Sequence, residues 1–213
     1  MKAQRVRADD AALLDPGSRE WDSVTSSELA LEPTPITAQP SLYLQAKWKA
    51  KPYGATSRLS VRAAHNGERF YFHLSWPDDT SNDGIRDTDQ FADAAAVLFP
   101  VNGDAPLQSM GSPEQPVNAW YWRPDGDPMS VTASGVGTTV RHGNGSLQAA
   151  ASYESGGWRV VISRPMVVNQ EGMVQLRSSW RRKVAFAVWQ GANQERGGLK
   201  AVTLEWEPLE IEA

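Results

Sequence analysis

Apolar residues recur at every second position over several short stretches, a spacing that predicts strands rather than helices. The plainest case is Arg69–Trp76, where Phe70, Phe72, Leu74 and Trp76 alternate with Tyr71, His73 and Ser75. Arg58–Ala63 precedes it, and Asn66-Gly67 lies between the two runs. Asn-Gly supplies the left-handed backbone of a tight turn, so the pair reads as a hairpin. Pro77 ends the second strand because it has no N–H for a ladder. Five more runs read as strands: Asp93–Phe99 closed by Pro100, Val117–Arg123, Leu147–Tyr153, Gly157–Arg164 and Val184–Trp189. Leu147–Tyr153 and Gly157–Arg164 form a second hairpin around Ser155-Gly156-Gly157, and Lys200–Trp206 reads as the last strand.

Gly, Pro, Asn and Asp make loops of residues 78–90, 101–117 and 190–199, and Val131–Val140 is rich in Gly and Thr. Asn169–Leu176 has weak helical character. Residues 1–40 are polar and carry Pro16, Pro33, Pro35 and Pro40. They read as an extended leader with one short strand near Ser27–Leu31, packed on the rest of the chain or on a partner. Many short strands separated by turns indicate an all-β fold. The expectation is an antiparallel β-sandwich over residues 41–213, with long loops and one or two short helices.

Composition removes several classes of chemistry. With no cysteine, disulfides, thiolate zinc, iron–sulfur ligation and covalent c-type haem attachment are all excluded. The net charge of −4 favours neither nucleic acid nor an anionic membrane. No stretch approaches the ~18 apolar residues of a membrane span. Lys2, Arg5 and Arg7 are followed by Asp9 and Asp10 rather than by an apolar core, so no secretory signal is read.

Phosphate-binding glycine motifs and a nucleophile elbow are also missing. His65, His73 and His142 have no metal-ligand spacing, and turn or surface roles are expected for them. Asp87 and Asp89 sit in a loop and read as solvated residues or turn caps. Nine tryptophans fit a β-rich fold, a ligand pocket or a sugar-binding surface. That leaves a carbohydrate-binding sandwich as one reading.

Two segments stand out. Met110 lies in the Gly/Pro loop Gln108-Ser109-Met110-Gly111-Ser112, shortly before Pro116-Val-Asn-Ala-Trp-Tyr-Trp122. Lys200 closes the run Phe186-Ala-Val-Trp189, Glu195-Arg196 and Gly197-Gly198-Leu199. On pattern alone, a gap-filling methionine and an exposed lysine are the plainer reading.

These stretches, with Met1-Lys-Ala-Gln-Arg-Val6, Ala64-His-Asn-Gly67 and Phe99-Pro100-Val101, resemble the haem-binding gamma subunits of ethylbenzene dehydrogenase-like molybdenum enzymes. Gamma subunits of dimethyl sulfide dehydrogenase, chlorate reductase, selenate reductase and a steroid side-chain dehydrogenase belong to the same family. The resemblance implies a β-sandwich holding one non-covalent haem b, with Met110 and Lys200 as axial ligands. Asn118, Trp120, Trp122, Phe186 and Trp189 are candidates for the pocket by their nearness in sequence.

The resemblance further implies a non-catalytic electron-transfer subunit of a heterotrimer. A molybdenum bis-pterin alpha subunit and an iron–sulfur beta subunit would be its partners. An external acceptor such as a cytochrome c would complete the route, and the likeness leans toward oxidation of a hydrocarbon or steroid side chain. The location implied is the periplasm, reached with a partner that carries a twin-arginine signal.

Overall fold

The computed structural model describes residues 1–39, 41–84, 91–143 and 146–213; Pro40, Asp87 and Asp89 lie outside them. Among the described residues, fourteen strands form one continuous sheet folded over into two facing layers. The expected all-β sandwich is therefore borne out.

The first layer contains β1 (Lys2–Arg5), β2 (Ser27–Ala30), β4 (Arg58–His65), β5 (Arg69–Pro77), β10 (Gln148–Tyr153), β11 (Gly157–Pro165) and β14 (Glu207–Ile211). The second contains β3 (Glu32–Pro33), β6 (Ala94–Pro100), β7 (Val117–Trp122), β8 (Met129–Ala133), β9 (Val140–Arg141) and β13 (Ala201–Val202). Strand β12 (Arg181–Trp189) belongs to both. Its residues 181–184 pair with β14 and its residues 185–189 with β6.

Period-two alternation builds the core. Phe70, Phe72, Leu74 and Trp76 of β5 point inward and are essentially sealed from solvent. The Phe72 ring centroid lies 5.9 Å from Phe99, 5.9 Å from Trp120 and 5.8 Å from Phe186. Trp76 meets Trp122 edge-on at 6.2 Å. Tilted and edge-on contacts suit the ring quadrupole, and each buried ring contributes about 1.5–3 kcal/mol.

Both hairpin turns have the backbone their residues favour. Asn66 Oδ1 accepts hydrogen bonds from Glu68 N (3.0 Å) and Arg69 N (2.8 Å). Ser155 and Gly156 both have positive φ, 53° and 75°. That is the two-residue turn whose twist matches the flanking strands.

The amino-terminal segment differs from the expected leader. β1 lies mid-sheet, parallel to both β4 and β14, yet only Ala3 of its four residues is buried. One apolar residue is too little for a periodic signal. Helix α1 (Asp10–Leu14) and the following turn cover the outer face of β5 with Leu13 and Trp21. His73 is consequently buried rather than exposed, 5.1 Å from the Trp21 ring, with Nε2 3.1 Å from the Pro16 carbonyl. His65 is buried as well, stacked on Phe70.

Three further elements depart from expectation. The last strand divides: β13 is two residues long, and β14 begins at Glu207. Asn169–Leu176 is not helical; Met173, Val174 and Leu176 are buried in irregular chain. Helix α2 (Leu42–Trp48) forms where none was expected, capped by Ser41 and anchored by buried Trp48.

Candidate cofactor site

Alternation that sends one set of second-layer residues into the core sends the other set outward. Cross-strand register then lines these outward residues into rows. One row runs Val202, Ala187, Ala96 and Tyr121; the next runs Ala185, Leu98, Ala119 and Val131. The result is a strip-like face of four alanines interleaved with Leu98, Tyr121, Val131 and Val202, whose larger side chains and neighbouring chain leave Ala96, Ala119 and Ala185 buried.

Lys200 lies at one end of this strip. Its carbonyl accepts from Thr34 N (3.0 Å), continuing the ladder between β13 and β3. Because Ala201 points into the core, Lys200 points outward beside Trp189, and Nζ lies 4.9 Å from that ring centroid. The lysine is half-buried. Among the described residues its amine has no hydrogen-bond or carboxylate partner. Burial alone pushes its pKa down, to about 8. Loss of water with no compensating anion favours the neutral amine.

The chain around Lys200 is well anchored. Trp189 Nε1 donates to the Gly197 carbonyl (3.0 Å), and Gln39 Nε2 donates to the Gly198 carbonyl (2.8 Å). Buried Glu195 accepts from Ala55 N (2.9 Å), Gln190 N (3.0 Å) and Asn193 Nδ2 (2.9 Å).

Met110 lies at the other end, half-buried against the cluster of Ala105, Val117 and Ala133, on which Leu98 and Trp206 also pack. Its φ of 57° is in the left-handed region, which costs a non-glycine residue about 1–2 kcal/mol. Three hydrogen bonds hold it there: Met110 N to Leu107 O (3.0 Å), Gly111 N to Pro106 O (2.9 Å) and Gly135 N to Met110 O (3.1 Å). Gly111 is obligatory, since its φ is 87° and a Cβ would stand 2.8 Å from the Gln115 carbonyl oxygen. Along β6 the two ends are marked by Ala94, opposite Trp189, and by Leu98, which packs on the same buried cluster as Met110. Four residues of strand make that span about 13 Å.

The other sequence candidates divide between the two faces. Trp189 is on the strip face, 5.5 Å edge-on from Tyr121. Trp120, Trp122 and Phe186 point into the core, as alternation with Ala119, Tyr121, Ala185 and Ala187 requires. Asn118 is also on the core side and fully engaged. Its Nδ2 donates to Ser130 Oγ (3.1 Å) and the Val131 carbonyl (3.1 Å). Its Oδ1 accepts from Arg164 and from Val174 N (3.2 Å). These four are not brought together with Met110 and Lys200. The small residues beneath the strip went unnoticed in the sequence, although Ala94-Ala95-Ala96 and Ala185-x-Ala187 carried the signal. Among the described residues no group of three His, Asp or Glu could hold a metal ion.

A family profile described as ethylbenzene dehydrogenase matches residues 18–145 and 131–201. The chain belongs to the ethylbenzene dehydrogenase family. Both Met110 and Lys200 fall within the matched residues. The chain is 44% identical over 153 residues to the chlorate reductase gamma subunit of Ideonella dechloratans, covering 71% of this chain and 64% of that one. It is 38% identical over 192 residues to a Haloferax mediterranei protein provisionally described as a respiratory nitrate reductase haem subunit, covering 90% and 66%. This family member thus spans less than two thirds of the length of either relative. Its fold is shared with a family 9 carbohydrate-binding module from Caldicellulosiruptor kristjanssonii, solved with glucose. The TM-score is 0.53 at 9% identity, over 100% of this chain and 95% of the module. Likeness at that identity speaks to the fold alone.

Proposed function

We propose that the chain binds one haem b on the outward alanine strip, with Met110 and Lys200 as axial ligands, and serves as a non-catalytic electron-transfer subunit. The observation that carries this reading is Lys200, a half-buried lysine with no acid to neutralise it among the described residues, whose burial shifts it toward the form that can donate a lone pair. When bound, haem with two protein ligands takes up and passes on one electron at a time and offers no open position to a substrate.

The residues suit that group. Lys200 must lose its proton to ligate, and a pKa lowered to about 8 leaves little for a metal to overcome at neutral pH. Met110 supplies a soft, neutral thioether that favours the reduced metal. Its strained backbone is fixed by the loop around it, so the sulfur is presented rather than recruited. Ala96, Ala119, Ala185 and Ala187 contribute only methyl groups to this face, so the bulk there comes from Leu98 and the flanking rings. Trp189 and Tyr121 form an aromatic flank.

The relatives include a gamma subunit of chlorate reductase and a protein described as a haem subunit. By that kinship the partners are a molybdenum bis-pterin catalytic subunit and an iron–sulfur subunit, with a cytochrome c or similar carrier as the external partner. A chain without cysteine leaves the clusters to those partners. Oxidation of a hydrocarbon or steroid side chain, and a periplasmic location by co-export, complete the proposal.

The carbohydrate-binding alternative needs an exposed aromatic platform. None of the nine tryptophans is exposed, and Tyr43 on α2 stands, among the described residues, as a single exposed ring rather than a platform, which counts against it.

The test is the visible spectrum of the haem-loaded chain. Wild type should show a Soret band and a reduced α-band of low-spin haem b. Met110→Ala and Lys200→Ala should each convert it toward high spin or lose the haem. A low-spin spectrum unchanged in either variant would remove that residue as a ligand.

A further inference from the structure

A positive charge is sealed beneath the alanine strip. Arg164, on the inward face of β11, is fully buried. Its NH1 donates to Asn118 Oδ1 (3.3 Å), its NH2 to the Val174 carbonyl, and its Nε to the Pro165 carbonyl (3.3 Å). The guanidinium lies 4.8 Å from the centroid of the Trp120 ring. Every acceptor is neutral, and no carboxylate among the described residues pairs with it. Burial pushes its pKa down to about 10, so it stays charged at neutral pH. An uncompensated buried charge is costly to a fold, and nothing in the packing of β11 calls for one.

Register places this charge with respect to the strip. Trp120 sits in the inward row Phe186, Val97, Trp120 and Ser130. The outward rows on either side are Ala187, Ala96 and Tyr121, and Ala185, Leu98 and Ala119. Arg164 therefore stands on the core side of the same patch of sheet whose other side is the candidate cofactor face. The sheet and the Trp120 indole separate the two sides, and full burial of Arg164 keeps its field poorly screened.

We propose that Arg164 is a tuning residue that holds the reduction potential of the bound haem high. The inference rests on the haem-binding reading above. The oxidised haem with neutral axial ligands carries one more positive charge than the reduced form. A fixed positive charge across one layer of sheet disfavours the oxidised form. For a buried unit charge acting across one sheet at an intermediate dielectric, the expected effect is about tenfold in the reduced-to-oxidised ratio, which is ~59 mV for one electron.

The experiment is a mediated redox titration of the haem-loaded full chain, with dithionite as electron donor and ferricyanide as acceptor, read at the α-band. Arg164→Gln should keep the low-spin spectrum and lower the midpoint by ~59 mV, while Arg164→Lys, which retains the charge, should stay near wild type. Asn118→Asp leaves Arg164 in place but sets a carboxylate against it. Its midpoint should also fall, which provides a reading if Arg164→Gln does not fold. A midpoint unmoved in Arg164→Gln or Asn118→Asp, with haem retained, would overturn the proposal. So would a fall in Arg164→Lys as large as in Arg164→Gln, since packing rather than charge would then be responsible. A wild-type chain with no Soret band is a different result, and would overturn the haem reading itself.

Discussion

Replacing Gly111 with alanine tests whether the Met110 loop is as tightly determined as its geometry states. The added methyl would meet Gln115 O at 2.8 Å, Ala133 O at 3.1 Å and Val117 N at 3.2 Å. All three are backbone atoms, and Val117 and Ala133 are paired across β7 and β8, so none can swing aside. A φ of 87° adds the left-handed cost of a side chain, about 1–2 kcal/mol. Forcing a methyl into a filled site adds about 1–3 kcal/mol. The expected loss is thus about 2–5 kcal/mol, out of the roughly 5–15 kcal/mol of a typical domain. For a chain of this size that lowers Tm by about 4–20 °C. Differential scanning calorimetry of the haem-free chain reads this directly. The haem-loaded variant should in parallel lose low-spin character, because Met110 N and Gly111 N share the same turn. A Tm within about 1 °C of wild type would mean that the loop relaxes at little cost, and the argument that Met110 is held by its backbone would fail.

Ala187→Phe puts a ring against Ala94, Ala96 and Trp189 on this face, so haem binding should be lost in a variant that still unfolds cooperatively; retained haem would show that the group lies elsewhere. Lys200 gives a pH signature in the haem-free chain. Its folded pKa, about 8, is below its unfolded value of 10.5, so between these values the unfolded chain binds more protons. Stability should therefore rise with pH from about 8 to 10.5, by about 1–3 kcal/mol after allowance for its partial exposure. Urea titrations of wild type and Lys200→Met at pH 8 and pH 10.5 measure this, and an equal response in both would rule Lys200 out as the source.

The fold was readable where alternation was strong. β5 places Phe70, Phe72, Leu74 and Trp76 at every second position and β12 does the same with Val184, Phe186 and Val188, and a one-residue slip would expose all of them. The hairpin turns were equally plain, because Gly67 and Gly156 supply the positive φ that few other residues adopt. β1 and β14 were not readable. Ala3, Leu209 and Ile211 are their buried positions, and their place in the sheet comes from pairing with one another and with β4 and β12. The burial of His65 and His73 was hidden for the same reason, since it is the distant amino-terminal segment that roofs His73.

For the site, the sequence by itself determined which residues are chemically apt: a methionine in a glycine loop, a lysine before a strand, and no cysteine anywhere. It also determined, through period two, that Trp120 and Tyr121 or Phe186 and Ala187 must face opposite ways. Only the tertiary structure decided which of those faces is the core. It set Met110 and Lys200 at the two ends of one alanine-rich face, left the Lys200 amine without an anion among the described residues, and sealed Arg164 under Trp120. These facts depend on contacts between segments far apart in the chain. Local spacing fixes a side chain's direction relative to its own strand, but burial and charge compensation depend on whatever the rest of the chain brings alongside.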